Sequence, residues 1–376
     1  MTGPHTRIEG LFRTIWTPLL LSGFVAIVWV IVAYGVSDIF YKQEVEKFFL
    51  RLMIVLALQM FSGNSGILSF GQVAFVAVGA YASALLTIPT AIKEFTFLSM
   101  PHVLKSWVFP AQLGPLEGTL AGAGVALLFA LVFGIPIVRL AGVAAGIATL
   151  AILVAMNVFI QQTSSITRGT STQIGVPQTT ELWSTMLWVI AAIVVAFVFK
   201  QSRNGLRLRA SRENERAARS VGVNVARERY IAFALSGFVC GIAGALYGHY
   251  FITFSYLDFY FDLTFLTIAM LVVGGMGSVS GAVTGTFFLT VIFVTFQRLE
   301  VNGIDGTTAP SGTADLVMAI ALLVALVLRP RGLTAGREIP WPSDWRLPNR
   351  LRGQEKHEPF ADEPAAESPA PDAPSG

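Results

Sequence analysis

The chain has 376 residues, 54% of them hydrophobic and only 13% charged, with a formal net charge of +3. Soluble domains carry roughly 25% charged residues, so this composition excludes an ordinary water-soluble globule, and basic residues confined to short loops argue against nucleic-acid binding. The single cysteine, Cys240, rules out an intramolecular disulfide and sits in an apolar run as a packing residue.

The apolar runs are continuous, not alternating, which excludes a transmembrane β-barrel. They predict an all-α fold, a polytopic transmembrane helical bundle of about ten spans. The expected spans are residues 18–36, 48–61, 72–88, 118–138, 142–162, 182–199, 230–251, 263–277, 281–296 and 315–328. The first follows Arg7 and Arg13 and has no small-x-small site before Asp38, so it reads as an uncleaved helix and not as a signal peptide. The second and eighth are short and are expected to be broken or re-entrant.

The loops between the spans set an expected orientation. Ten crossings from a cytoplasmic N-terminus place Arg139, the island 200–229 and the Arg329-Pro330-Arg331 tail inside, as Lys/Arg-rich short loops require. The stretches 101–115, 162–181 and 302–312 then fall outside, and residues 42–51, with three basic side chains, are the exception. The domain organisation follows: a cytoplasmic N-terminal segment 1–17, a transmembrane domain 18–335, and a cytoplasmic tail 336–376. That tail is rich in Pro, Glu, Ala and Ser and is expected to be largely disordered.

Several chemistries lack their motifs. The glycine-rich run Gly274-Gly275-Met276-Gly277-Ser278 has no Lys for a phosphate, and no Cys/His cluster has metal spacing. The spans hold almost no ionisable groups for ion coupling. The candidates are Glu117, His249, Asp258 and Asp262, with His249 read as an anchor at the rim of its span.

Two glycine-rich segments stand out. In the run from Gly63 to Gln72, Gly66 and its neighbours permit an unwound helix, and Asn64, Ser69 and Gln72 would offer neutral polar groups to a solute. Tyr81, in the same run, and Gly274 and Gly275 in the second segment complete the candidate translocation path. Gly277, Gly281 and Gly285 recur every four residues, however, which is a helix-packing face.

The island 200–229 is the most distinctive stretch. Arg212, Glu215, Arg216 and Arg219 are expected on one helical face, with Ala217, Ala218 and Val221 opposite. Gly222 is placed to end that helix in a left-handed cap, and Asn224 to cap the next. Such a helix either lies on the membrane surface or fits a partner's groove.

At these residues the chain resembles the permease subunits of branched-chain amino-acid ABC transporters, the LivM-type family. Four blocks carry the likeness. They are Gly66-Ile67-Leu68-Ser69-Phe70-Gly71-Gln72 with Tyr81; Arg139-Leu140-x-Gly142 with Thr149-Leu150; Arg212-Glu213-Asn214-Glu215 through Ala217, Ala218 and Gly222-Val223-Asn224; and the 274–281 glycines with Arg329-Pro330-Arg331-Gly332-Leu333. Arg216-Ala217-Ala218-x-x-x-Gly222 occupies the frame of the ABC coupling motif, with Arg216 in place of the acidic first residue and Glu215 beside it. The resemblance implies a non-enzymatic transport subunit of the bacterial inner membrane, without a cofactor. It would work with a second permease subunit, two cytosolic ATPase subunits and an extracytoplasmic solute-binding protein, and it turns the reading of the island towards docking. Urea or short amides are possible cargoes beside branched-chain amino acids. The alternative from another class is a self-sufficient secondary carrier or channel.

Overall fold

The computed structural model describes residues 4–97, 100–302, 310, 312–329 and 332–339. It divides into two compact units, residues 1–16 with 339–376 and residues 17–338. Of the first, the described parts are the start of helix α1 and Ile339; the second holds the helical bundle. Pro330, Arg331 and the tail from Trp341 lie outside the described residues.

The helices in chain order are α1 (Pro4–Gly35), α2 (Ile39–Leu58), α3 (Gln72–Thr87), α4 (Thr90–Thr96), α5 (His102–Val108), α6 (Pro115–Ile137), α7 (Gly142–Gln162), α8 (Ser164–Thr167) and α9 (Leu182–Gln201). There follow α10 (Arg203–Glu213), α11 (Glu215–Ser220), α12 (Val225–Phe251), α13 (Phe261–Gly274), α14 (Val279–Asn302) and α15 (Thr313–Leu328). A π-helical turn, Gln59–Gly63, ends α2, and a 3₁₀ turn, Tyr256–Phe259, leads into α13. The chain is thus a polytopic helical bundle, with one isolated β-bridge, Gln173 to Phe254, among the described residues.

Among the described residues seven helices are long and apolar enough to span a bilayer, or eight if α3 and α4, bent by 115° at their junction, form one span. This is fewer than the ten expected. The two segments that drop out are α2, with Lys42, Glu44, Glu46, Lys47 and Arg51 in its 20 residues, and α15, with only 16. The sharp bend also falls elsewhere than expected. It follows the third segment, while the eighth continues from the 3₁₀ turn as an apolar stretch Tyr256–Gly274 of 19 residues.

Contacts nevertheless sort the connections into two ends. At one end Arg212 meets Gly63, Arg229 meets Leu140, and Lys200 meets Gly277 and Glu338. At the other, Asp38 meets Arg298, Gln43 meets Tyr250, His249 meets Pro177 and Asn157 meets Tyr256. α2 and its π turn run from Gln43 at the second end to Gly63 at the first, about 30 Å at 1.5 Å per residue. The expected alternation of segments therefore holds through α2, although its charge disqualifies it as an ordinary span.

The centre is built by small residues. α12 packs against α3 and α6, and a methyl group on Gly79 would overlap the backbone of Gly241, one on Gly244 that of Val76, and one on Gly237 the side chain of Ala130. Close backbone approach through Gly and Ala gains dispersion contact where lipid gives no hydrophobic drive to helix association. The second half of α2 and most of α3 are buried on all faces. By contrast, Leu128 and Val132 of α6, Ile147 of α7, Val198 of α9 and Leu323 of α15 are exposed, as lipid-facing positions are.

Candidate functional site

The island folds from local signals. Asn214 is extended and its side chain accepts the Ala217 amide at 3.1 Å, starting α11. α11 ends in a Schellman motif: the Val223 amide donates to Ala218 O and the Gly222 amide to Arg219 O, both at 3.0 Å, with Gly222 at φ +85°. The Asn224 side chain then accepts the Arg227 amide at 3.1 Å and opens α12. The sequence reading of Gly222 and Asn224 matches this corner.

The expected single face does not form. Asn214 breaks the helix, so Arg212 belongs to α10 and Arg216 to α11. Arg212 Nη1 donates to the Gly63 carbonyl at 2.6 Å, and a methyl group on Gly66 would press on the Arg212 stem. Of the opposite face only Ala218 is buried; Ala217 is exposed and Val221 is 79% exposed. Glu215 is engaged inside the chain, with Arg219 at 2.5 Å and the buried Arg229 at 2.8 Å. Burial would raise its pKa, but the Arg229 and Arg219 guanidiniums hold its carboxyl below the usual range. Glu213 and Arg216 are exposed, and Glu213 has no ion-pair partner among the described residues. Arg216, Ala217 and Val221 thus form an open knob next to a free carboxylate.

The break that Arg212 touches is the predicted polar segment. After the π turn the chain runs unwound from Gly66, at φ +74°, to Gly71. Ser62 Oγ accepts the Ser69 amide at 3.1 Å and Thr149 Oγ1 accepts the Phe70 amide at 3.1 Å, which gives Thr149 of the second sequence block a role. Asn64, Ser69 and Gln72 are buried, and Tyr81 is nearly so. Asn64 donates to Met60 O at 2.9 Å, yet its Oδ1, Ser69 Oγ, Gln72 Nε2 and Tyr81 OH have no hydrogen-bond partner among the described residues. Gln59, which the sequence reading passed over, is fully buried with both amide atoms unpartnered. Its signal was that it is the lone amide in the apolar run 48–61. Native structures rarely leave buried polar groups unpaired, since each costs about 1–3 kcal/mol, and here such groups are concentrated around one break.

Gly274 and Gly275 differ. A methyl group on Gly274 would overlap the Gly281 carbonyl, and Gly275, at φ +111°, lies against Gly332. Beside them Glu338 accepts from Lys200 at 2.5 Å, from the Val279 amide at 2.8 Å and from Ser280 N and Oγ at 3.0 and 2.8 Å. His249, expected as a rim anchor, is buried, with Nε2 2.9 Å from Ser83 Oγ and Nδ1 2.9 Å from Pro177 O.

The sequence itself places this bundle in a family. The sequence model described as "Branched-chain amino acid transport system / permease component" covers residues 45–327. The chain belongs to this family. It is therefore a transport permease component. It is similar to the high-affinity branched-chain amino acid transport system permease protein LivM of Escherichia coli K12, 26% identical over 274 residues, which cover 64% of this chain and 60% of LivM. LivH of Salmonella typhimurium LT2 is 22% identical over 311 residues, 76% of this chain and 92% of LivH. The nucleoside ABC transporter permease protein NupC of Lactococcus lactis is 30% identical over 205 residues, 50% of this chain and 60% of NupC.

Proposed function

We propose that the chain is one permease subunit of an ABC importer in the bacterial inner membrane, moving branched-chain amino acids or related small polar solutes. In this reading it pairs with a sister permease, two cytosolic ATPases and an extracytoplasmic binding protein. Both termini and the island 200–229 face the cytoplasm, because the island and Arg139 share one end of the bundle and carry its densest basic charge. Arg216, Ala217, Ala218 and Gly222 present the knob to an ATPase groove. Glu213, the free carboxylate beside it, supplies the polar contact that Glu215 cannot. Asn214 and Asn224 hold the two ends of the lever.

The observation that carries this reading is the bond from Arg212 to the Gly63 carbonyl. It joins the island to the polar segment that begins at Gly63, so a shift of α11 passed on to α10 pulls on the backbone next to Gln59, Asn64, Ser69 and Gln72. ATP binding by the partners changes the path only if they hold the two permease states with different free energy.

The test is uptake and ATP hydrolysis by the reconstituted complex carrying Arg212→Met or Glu213→Lys. A coupling free energy of 1–3 kcal/mol predicts uptake about 5- to 150-fold lower while hydrolysis continues. Unchanged uptake in both variants refutes the lever. Transport by the chain alone, without ATPase, favours a secondary carrier or channel.

A further inference from the structure

A cavity of about 910 Å³ lies away from the polar break. It opens among α2, the end of α12, α13, α14 and α15, and its walls are leucine, isoleucine, valine, methionine and phenylalanine side chains. Its charged lining has both signs: Lys47 and Arg51 against Asp258, Asp262 and Asp315. Two of these are already occupied, since Lys47 holds Glu44 at 2.6 Å and Asp258 accepts the Ser255 amide at 2.6 Å. Asp262 and Asp315 sit in the first turns of α13 and α15, where a carboxylate suits the helix dipole. Arg51 has no such explanation. It is half-buried with no hydrogen bond or ion pair among the described residues, and its guanidinium lies 5.7 Å from the Phe293 ring centre.

We infer that this cavity is a second, transient binding site for a small zwitterion with an apolar side chain, resting on the importer reading above. The carboxylate meets Arg51, the ammonium meets Asp262 and Asp315, and the side chain lies along the apolar walls of α13 and α14. The balance of charge argues for this class: two cations and three carboxylates line the cavity, so an anion meets net repulsion, while a zwitterion matches both signs. A zwitterionic lipid headgroup carries the same two charges, and the test below tells it from a free zwitterion. A cavity this open holds its guest weakly, as a conduit must in order to release it.

The test is thiol protection in native membrane vesicles containing the full chain. Ala269 is half-buried and lines the cavity, and the natural Cys240 is buried, so Ala269→Cys reports on the cavity. Labelling by a small methanethiosulfonate, followed by purification, needs no nucleotide. Leucine at about ten times a near-millimolar dissociation constant is expected to slow it about tenfold. Leucinamide, without the carboxylate, and 4-methylpentanoate, without the ammonium, are expected to have no effect. Adding Arg51→Gln, or Asp262→Asn with Asp315→Asn, should abolish protection by leucine. The inference is overturned if leucine leaves the rate unchanged, if all three compounds slow it equally, or if protection survives both sets of variants. It is also overturned if only added phosphatidylethanolamine protects. Protection without ATP-driven uptake would instead count against the importer reading, so the two can fail separately.

Discussion

The two glycine-rich segments look alike in sequence and differ in what surrounds them. Around residues 63–71 Gly66, at φ +74°, frees the backbone while Gly63 and Gly71 sit against Met276 and Thr149, and amide and hydroxyl groups gather there without partners. Around residues 274–285 the glycines draw backbones together: Gly274 faces Gly281 and Gly285, and Gly332 closes on Gly275. There Thr334 donates to Gly274 O at 2.9 Å, and Glu338 satisfies the start of α14. Glycine content therefore reports close approach or freedom, and only the neighbouring polar groups tell which. Unpaired groups fit the proposed path for solute, and paired ones fit a joint.

The largest effect should separate joint from path outright. Gly274→Val drives side-chain carbon into the Gly281 carbonyl and the Gly285 backbone. Overpacking costs typically about 1–3 kcal/mol and more where backbone must move, so little folded protein should survive detergent extraction. Recovery at the wild-type level with normal melting would mean that α13 and α14 are not held by this contact.

The next test turns on sign. Gln59→Leu keeps the volume and removes two buried atoms without partners. Leaving such a group unmade costs about 1–3 kcal/mol, so the variant should melt higher than the wild type. Uptake by the reconstituted complex should fall, because a group that binds solute has gone. Most core substitutions lower both quantities, and a joint decrease here would put Gln59 among ordinary packing residues. Gln72→Leu should act in the same direction but less strongly, since Gln72 Oε1 has the Cys240 thiol 3.9 Å away.

These contrasts show what sequence could and could not say. The helices and the α11 corner were legible because their causes are local: continuous apolar runs, a capping Asn at 224, a glycine at 222 forced to positive φ. Arg212 was misplaced because one extended residue, Asn214, resets the helical phase, and nothing in the pattern announces it. The partner of Arg212, Gly63, lies 149 residues away. The span count ran high because apolar length outweighed the charges at the start of α2, already the exception in the loop pattern, and because α15 is only 16 residues long. Gln59 was missed because an isolated amide in an apolar run carries no motif; only its lack of partners gives it meaning. Glu338 fell in a stretch read as tail, while its ligands at Lys200, Val279 and Ser280 come from distant helices.

The smallest expected effect sharpens the reading of that joint. Burial alone would raise the pKa of Glu338, but Lys200 and the Val279 and Ser280 amides outweigh it and hold the carboxyl below the ordinary glutamate range. A group depressed on folding contributes stability that is complete above its unfolded pKa and is lost as pH falls through its folded one. The wild-type protein should therefore melt progressively lower as pH drops past the ordinary glutamate value. Glu338→Gln should be less stable at neutral pH, since it leaves Lys200 next to a neutral amide, and its loss on acidification should be shallower. The two melting curves should converge at low pH, where the wild-type carboxyl is itself neutral. Parallel curves with a constant gap would show that Glu338 acts by shape alone, and that the joint owes nothing to charge.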